Sequence, residues 1–458
     1  MPAKDASGCY VPPREVCRHL IGLYFQTMDN TDASLFHEKS LVKAFEKGSL
    51  PLVTQLAMFA LTARFSDHEY FRDKHPWARG TKWAQEAKAL LSFQNMSVSL
   101  STLQSCRLLS SLASAEGDRD AISICNAICS CIAPLLGLPK TLSGNALQRE
   151  LELRVWSTVY ITDVWVSSSR DQKRSPNLDV DFTWPVSELV FRDMTDDTIE
   201  DDVPADDAPC RMESLWSQMI PLTKLFGQVK DLNYALVHAL EDPSSIAATI
   251  SLLSEGLRQW ELNLPTLLRE TKENLTYYAA KGLGHVFVAL HVGYHYHQML
   301  LHYQFLHTPF ESPVSSAHKE YAYRCRAHAT AISNLLWRAH DSFNVNCVWV
   351  RVGHVLVISS SVHLHTLLLD SNRAAVSEAR ELLQCNFQLL LKLRQYWPWI
   401  DQAMRRLKAF QEACGTAQQV WAVFRMSDWM ARFLHEYSTA VVELDSEIPP
   451  LPADLFNV

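Results

Sequence analysis

Apolar residues recur at helical spacing along nearly the whole chain, and strand-like alternation is almost absent. Arg14 to Met28 places Val16, Leu20, Leu23 and Tyr24 on one face. The same spacing predicts helices over Phe36–Phe45, Leu52–Phe65, Trp77–Phe93, Thr102–Ala115, Asp120–Leu136 and Ala146–Ser168. Further on it predicts Arg211–His238, Ser245–Leu262, one long helix over Leu275–Leu306, then Ala317–Ala339 and a helix within Asn346–Leu369. Val376–Tyr396, Ile400–Ala413 and Gln418–Tyr437 complete the series. Gly48, Gly137 and Pro139 follow helix ends, and Pro51 stands at a first turn. No fixed-period repeat is visible, which disfavours a solenoid. The expected fold is all-α, a large multi-helix, antiparallel, bundle-like domain.

Residues 1–13 read as a flexible arm, 14–440 as a single helical body and 441–458 as a loose tail with Pro449, Pro450 and Pro452. One segment breaks the pattern. Positions 193–207 hold eight acidic residues and no Lys or Arg, which predicts a solvated, self-repelling surface loop.

Composition narrows the class. Of 458 residues 48% are hydrophobic and 20% charged, enough to bury a large core and too apolar for disorder. The formal net charge of -8 argues against a general polyanion binder. The start MPAKDASGCYVPPREV is polar and holds no apolar leader. Ser and His interrupt the most apolar stretches, Ile122–Leu138 and His354–Leu369, so no membrane crossing is expected. Eleven scattered cysteines fit free thiols.

Chemistry-bearing motifs are sparse. The chain has no phosphate loop, no dinucleotide fingerprint, no nucleophile elbow, no HExxH and no CxxC pair. Neither a metal site nor a cofactor is expected. Cys125, Cys129 and Cys131 read as small core residues in an apolar helix. Arg405-Arg406-Leu407-Lys408 reads as a solvated basic face. Histidine is the unusual feature, with six between His285 and His307. His291 and His295 share a helix face at i,i+4 spacing, with no Glu between them to serve as a base. Structural imidazoles are the plain reading. If the chain is an enzyme, His291, His295 and Asp163 are its first acid-base candidates. Asp163 lies mid-helix in an apolar run and needs a partner, for which Arg154 or Arg170 stands near.

Several segments, in order, resemble the fungal-specific transcription factor domain, the middle regulatory region of fungal zinc-cluster regulators. Leu50-Pro51-Leu52-Val53 through Ala63-Arg64-Phe65-Ser66 is similar to its Pro-Leu-Leu to Ala-Arg-Phe-Ser helix. Arg154-Val155-Trp156 through Asp163 resembles its Arg-x-Trp to Asp signature. Arg174-Ser175-Pro176 through Asp181, then Trp184-Pro185, resembles its Arg-Pro to Asp-x-Asp to Leu-Pro segment. Trp260 with Leu264-Pro265, the ending Leu306-His307-Thr308-Pro309-Phe310, and Tyr396-Trp397-Pro398 follow in the family order. The family's DNA-reading module is a cluster of six cysteines holding two zinc ions, and only Cys9 and Cys17 precede residue 100 here. The resemblance implies a transcription-regulator-like protein without its own DNA reader, acting through a protein partner, a homodimer or a small hydrophobic effector. It also implies a nuclear or partly cytoplasmic location and, typically, control of a secondary-metabolite gene cluster. The alternative is an enzyme of secondary metabolism built on the same scaffold, with a hydrophobic cavity and histidine acid-base groups. A closed cavity carrying paired titratable groups favours the enzyme, and scattered histidines favour the regulator.

Overall fold

The computed structural model describes residues 11–92, 96–170, 175, 181–199, 203–205, 208–238, 240, 242–306, 315–416 and 423–436. Seventeen α-helices form among them: α1 Arg14–Thr27, α2 Glu38–Glu46, α3 Leu52–Thr62, α4 Thr81–Leu90, α5 Leu100–Glu116, α6 Arg119–Leu135, α7 Ala146–Arg170, α8 Glu188–Asp193, α9 Leu215–His238, α10 Pro243–Leu262, α11 Lys272–Ala280, α12 Gly284–His302, α13 Ser316–Phe343, α14 Val352–Leu369, α15 Arg373–Arg394, α16 Ile400–Thr416 and α17 Asp428–His435. No β-strand forms among the described residues, and the fold is all-α as expected. Many starts are set by sequence. Ser99, Asp118, Ser187, Asp242, Thr271, Ser315, Asn372 and Ser427 each accept a first-turn backbone N–H through the side chain.

The helices pack as a chain of neighbours. α1 lies on α3, α3 on α4 and α5, and α5 on α6. From there α6 meets α7, α7 meets α9, and α9 meets α12. α12 then packs on α13, α13 on α14, and α14 on α15 and α16. One apolar cluster runs through all of this, from Val16 to Leu434. α12 is apolar on every side and correspondingly surrounded, by α9, α10, α11 and α13. α14 is long and apolar enough to cross a membrane by length and composition, but 83% of it is buried inside the protein. Its apolar character is therefore accounted for by core packing. At its start, a Cβ on Gly353 would stand 2.3 Å from Ile400 Cδ1 and 3.3 Å from the Trp399 ring, so a larger residue there would have to displace the Ile400 side chain.

Three expectations are corrected. The stretch Leu275–Leu306 is two α-helices and a closing 3-10 turn. Gly282, at φ +72°, ends α11, with its N–H on Ala279 O and Leu283 N–H on Tyr278 O. Those bonds close the carbonyl end of α11 and turn the chain into α12. The last predicted helix shortens to Asp428–His435 among the described residues, because Ser427 caps it there. The acidic segment is not wholly free of partners. Lys39 pairs with Asp193 at 3.8 Å and Lys43 with Asp196, both lysines on α2. Glu200, Asp201, Asp202, Asp206 and Asp207 lie outside the described residues, as do the first ten residues and 437–458.

Motifs distant in sequence meet in space. Arg64 donates to Tyr396 O at 3.2 Å and its guanidinium lies 5.2 Å from the Trp397 ring. Phe65 packs on both Tyr396 and Trp397. Deeper in, Asp32 is clamped by Arg107 at 2.7 Å and Arg351 at 2.8 Å, and accepts from Ser111 at 2.9 Å. Burial alone raises such a carboxyl, but the two guanidiniums and the hydroxyl outweigh it and hold Asp32 far below the carboxylate range.

Asp32→Asn leaves both guanidiniums without their anion. The expected loss is about 3–5 kcal/mol in urea unfolding. A loss under about 1 kcal/mol contradicts the clamp.

Candidate functional site

His291 and His295 point from α12 toward the segment between α10 and α11. His291 Nε2 donates to Leu268 O at 2.9 Å. His295 Nε2 donates to Glu270 Oε2 at 2.7 Å. In the neutral ring that leaves His295 Nδ1 to accept from His328 Nδ1, 2.8 Å away on α13. His291 Nδ1 lies 3.8 Å from the same Glu270 oxygen. The two imidazoles therefore converge on one carboxylate, and Glu270 and His328 are the partners that spacing on α12 does not reveal. Burial raises Glu270, but the His295 hydrogen bond and both imidazoles pull its carboxyl below the usual value. Burial pushes the His291 imidazole down to about 4, against the opposing pull of Glu270.

Asp163 belongs to a different set. It accepts from Ser175 N at 2.9 Å, Ser175 Oγ at 2.8 Å, Asn126 Nδ2 at 3.3 Å and Ser130 Oγ at 3.4 Å. All four of these donors are neutral, and Arg154, one of the two expected partners, is not among them. Arg154 instead serves Asn30, Ser34 and Val186 O and covers the Phe191 ring at 4.3 Å. The Arg170 side chain lies outside the described residues. Asp163 thus ties Ser175 to α7. Its neighbours at 171–174 and 176–180 are outside the described residues, as is the ending at 307–310.

Other readings shift as well. Cys129 is buried and Cys125 half-buried, but Cys131 is exposed. Arg406 is buried, 1% exposed, and donates to Phe433 O at 2.6 Å and Arg432 O at 3.0 Å near the end of α17. Arg405 and Lys408, in the same basic run, are exposed as expected. Among the described residues no group of three or more His, Cys, Asp or Glu side chains is placed to hold a metal ion.

The cavities lie elsewhere. One of about 270 Å³ opens among the ends of α1, α11, α12 and α13, with Gln26, His285 and Tyr396 in its lining. A second, of about 180 Å³, shares Gln26, Gly282 and His285 with it and adds Asp29, Glu38, Glu188, Arg192 and Lys281. Two smaller ones, of about 70 and 20 Å³, lie against α12 and α14. His291, His295 and Asp163 line none of the four. Asp29, on the second cavity, is buried, and burial pushes its carboxyl up to about 8 despite Arg154.

The model of the fungal specific transcription factor domain matches residues 21–262, more than half of the chain. The chain belongs to this family. It is similar to an uncharacterized transcriptional regulatory protein of Schizosaccharomyces pombe, 22% identical over 92% of this chain and 49% of that protein. It is also similar to a Zn(2)-C6 fungal-type transcription factor of Fusarium oxysporum f. sp. lycopersici, 23% identical over 84% of this chain and 44% of that protein. The chain spans about half the length of the curated relatives it matches. No solved structure matches it. The family domain thus carries the Arg64, Arg154 and Trp260 segments, and Tyr396-Trp397, beyond the matched range, packs back on the first of them.

Two pH responses follow from the buried groups. Burial holds His285, His291, His363 and His365 at about 4, and His297, His302, His354 and His435 at about 3. The unfolded chain protonates these rings below about pH 6.5. It therefore binds more protons than the folded chain between about pH 6.5 and 4, and stability falls as pH falls through that window. The urea midpoint is expected to drop steeply between about pH 7 and 5, with unfolding before about pH 4; a flat profile contradicts neutral burial of the rings. Asp29 has the opposite sign, since its raised pKa means that stability is lost as pH rises from about 4 to 8. Asp29→Asn should stabilise by about 1–3 kcal/mol near pH 7.5. Thermal melts should show that gain vanish near about pH 4.

Proposed function

We propose that this chain is the regulatory part of a fungal transcription regulator. It acts on transcription through a protein partner or a second copy of itself, in response to a small hydrophobic effector. The observation that carries this reading is the family match over residues 21–262, together with relatives named as transcriptional regulators. The family match supports association with other proteins as the mode of action. The 458 residues hold no six-cysteine cluster, so they carry no zinc-cluster means of reading bases. The nucleus is the place of action, shared with the cytoplasm when the effector is absent. A secondary-metabolite gene cluster is the target setting. The separation of the histidine pair from the cavities is a second support, because acid-base catalysis needs them together.

The test fuses the full chain to an unrelated DNA-reading domain in a fungal reporter strain. Reporter output is expected to change at least fivefold against the DNA-reading domain alone. The unfused chain is expected to give no sequence-specific band in a gel shift. No reporter change, or a specific band from the unfused chain, removes the reading.

A further inference from the structure

The outward face of α6 is apolar from end to end. At helical spacing, positions 124, 127, 128, 131 and 135 fall within about 100° of one another. They hold Ile124, Ala127, Ile128, Cys131 and Leu135. Ile124 is 61% and Leu135 69% exposed, Ala127 and Cys131 are exposed, and Ile128 is half-buried. The opposite face, with Ile122, Asn126, Cys129, Ile132 and Ala133, is buried, and α6 packs on α5 and α7. An outward face is ordinarily polar. Here none of the five positions carries a polar side chain, over about 17 Å of helix. The α5–α6 hairpin lengthens the patch. Cys129 Sγ lies 3.7 Å from Leu103 O, and that register sets Val98, exposed just before α5, near the level of Leu135.

Spacing and charge both fit a second copy of the chain as the cover. Steps of four, three and four residues separate Ile124, Ile128, Cys131 and Leu135, the alternation with which two α-helices share a seam. The face carries no charge, so an identical face meets no like charge on it. Beyond its two ends stand Asp120, exposed in the first turn, and Lys140, exposed after the last. A two-fold axis between Ile128 and Cys131 lays Ile124 against Leu135 of the second copy and brings each Asp120 to a Lys140 end. The contact removes on the order of 1,000 Å² from water in total, the low end for specific association.

We propose that α6 is a self-association face, on which two copies of the chain pack antiparallel along Ile124, Ile128, Cys131 and Leu135. The second copy is then the partner of the regulator reading; that meaning rests on the reading, and the association itself does not.

The experiment follows the mass of the full chain by sedimentation equilibrium from about 1 to 100 µM. A reversible monomer–dimer equilibrium is expected. Leu135→Glu, at an exposed position, places a charge on the seam and should weaken the dimer at least about tenfold. Ile124→Lys combined with Leu135→Glu should restore it, because each introduced lysine then faces an introduced glutamate across the antiparallel seam. Cys131 should react with a maleimide at about 1 µM chain and be protected at about 100 µM, with exposed Cys210 reacting alike at both. A monomer at the highest concentration leaves the face to a different protein and overturns the proposal. A dimer untouched by Leu135→Glu, or not restored by the double variant, overturns it as well. Protection of Cys131 that is independent of concentration means cover from within one chain, and also overturns it. A dimer with a silent reporter removes only the regulator reading, and a monomer with a responsive reporter removes only this interface.

Discussion

Irregular backbone buried between helices must find hydrogen-bond donors, and in this protein guanidinium groups supply them. Arg107 reaches Asp32 O, Arg154 reaches Val186 O, and Arg211 reaches Trp184 O and Pro204 O. Arg64 reaches Tyr396 O in the turn after α15, and Arg406 serves the last-turn carbonyls of α17, Phe433 O and Arg432 O, which the helix end leaves short of donors. Each of these arginines is at most 5% exposed. The middle of a helix satisfies its own carbonyls, whereas the connections 28–37, 181–187 and 203–205 cannot. A planar fork with five fixed donors can serve two carbonyls or a carboxylate at once, which a flexible ammonium does less well. The charges are then compensated locally. Asp32 answers Arg107 and Arg351, and Glu150 answers Arg211 at 2.7 Å.

This constraint explains which parts of the structure are legible in the sequence. Helix existence is, because the apolar period depends only on neighbours within a few residues. The break at Gly282 is hidden because the apolar pattern continues across it, and only the left-handed turn at that glycine separates α11 from α12. Arg406 looks like one member of an exposed basic run. Its burial depends on α17, which is more than twenty residues away and has no spacing relation to it. The need of Asp163 for partners is visible in its apolar run, but the partners are Asn126, Ser130 and Ser175 from two other segments. In the same way the i,i+4 relation of His291 and His295 is plain, whereas Glu270 and His328 enter by tertiary packing alone.

The histidines show how one composition can suggest chemistry and yet serve packing. His291, His354 and His365 each give a ring nitrogen to a backbone carbonyl, of Leu268, Leu434 and Leu306. His363 bonds Ser333 and His302 stacks on Tyr321. An imidazole kept neutral by burial does at a single carbonyl what the arginines do at two, without bringing a charge into α12 and α14. The same choice makes the core sensitive to acid, since every such ring gains a proton only by leaving its site.

Open space in such a fold is expected at helix ends rather than between helix flanks. Side chains along α12, α13 and α14 interdigitate, and the cavities against α12 and α14 are small. Where the ends of α1, α11 and α13 and the start of α12 come together, three changes of chain direction leave a volume that side chains do not fill. Asn344 and Gly282, both in the left-handed conformation, close α13 and α11 at its wall. Segments that cap helices and rings that anchor the Tyr396-Trp397 turn thus become the walls of one chamber. The chamber lies between α1 at the beginning of the fold and Tyr396 near its end, at the junction that Arg64 bridges, and its walls hold the first helices against the last ones.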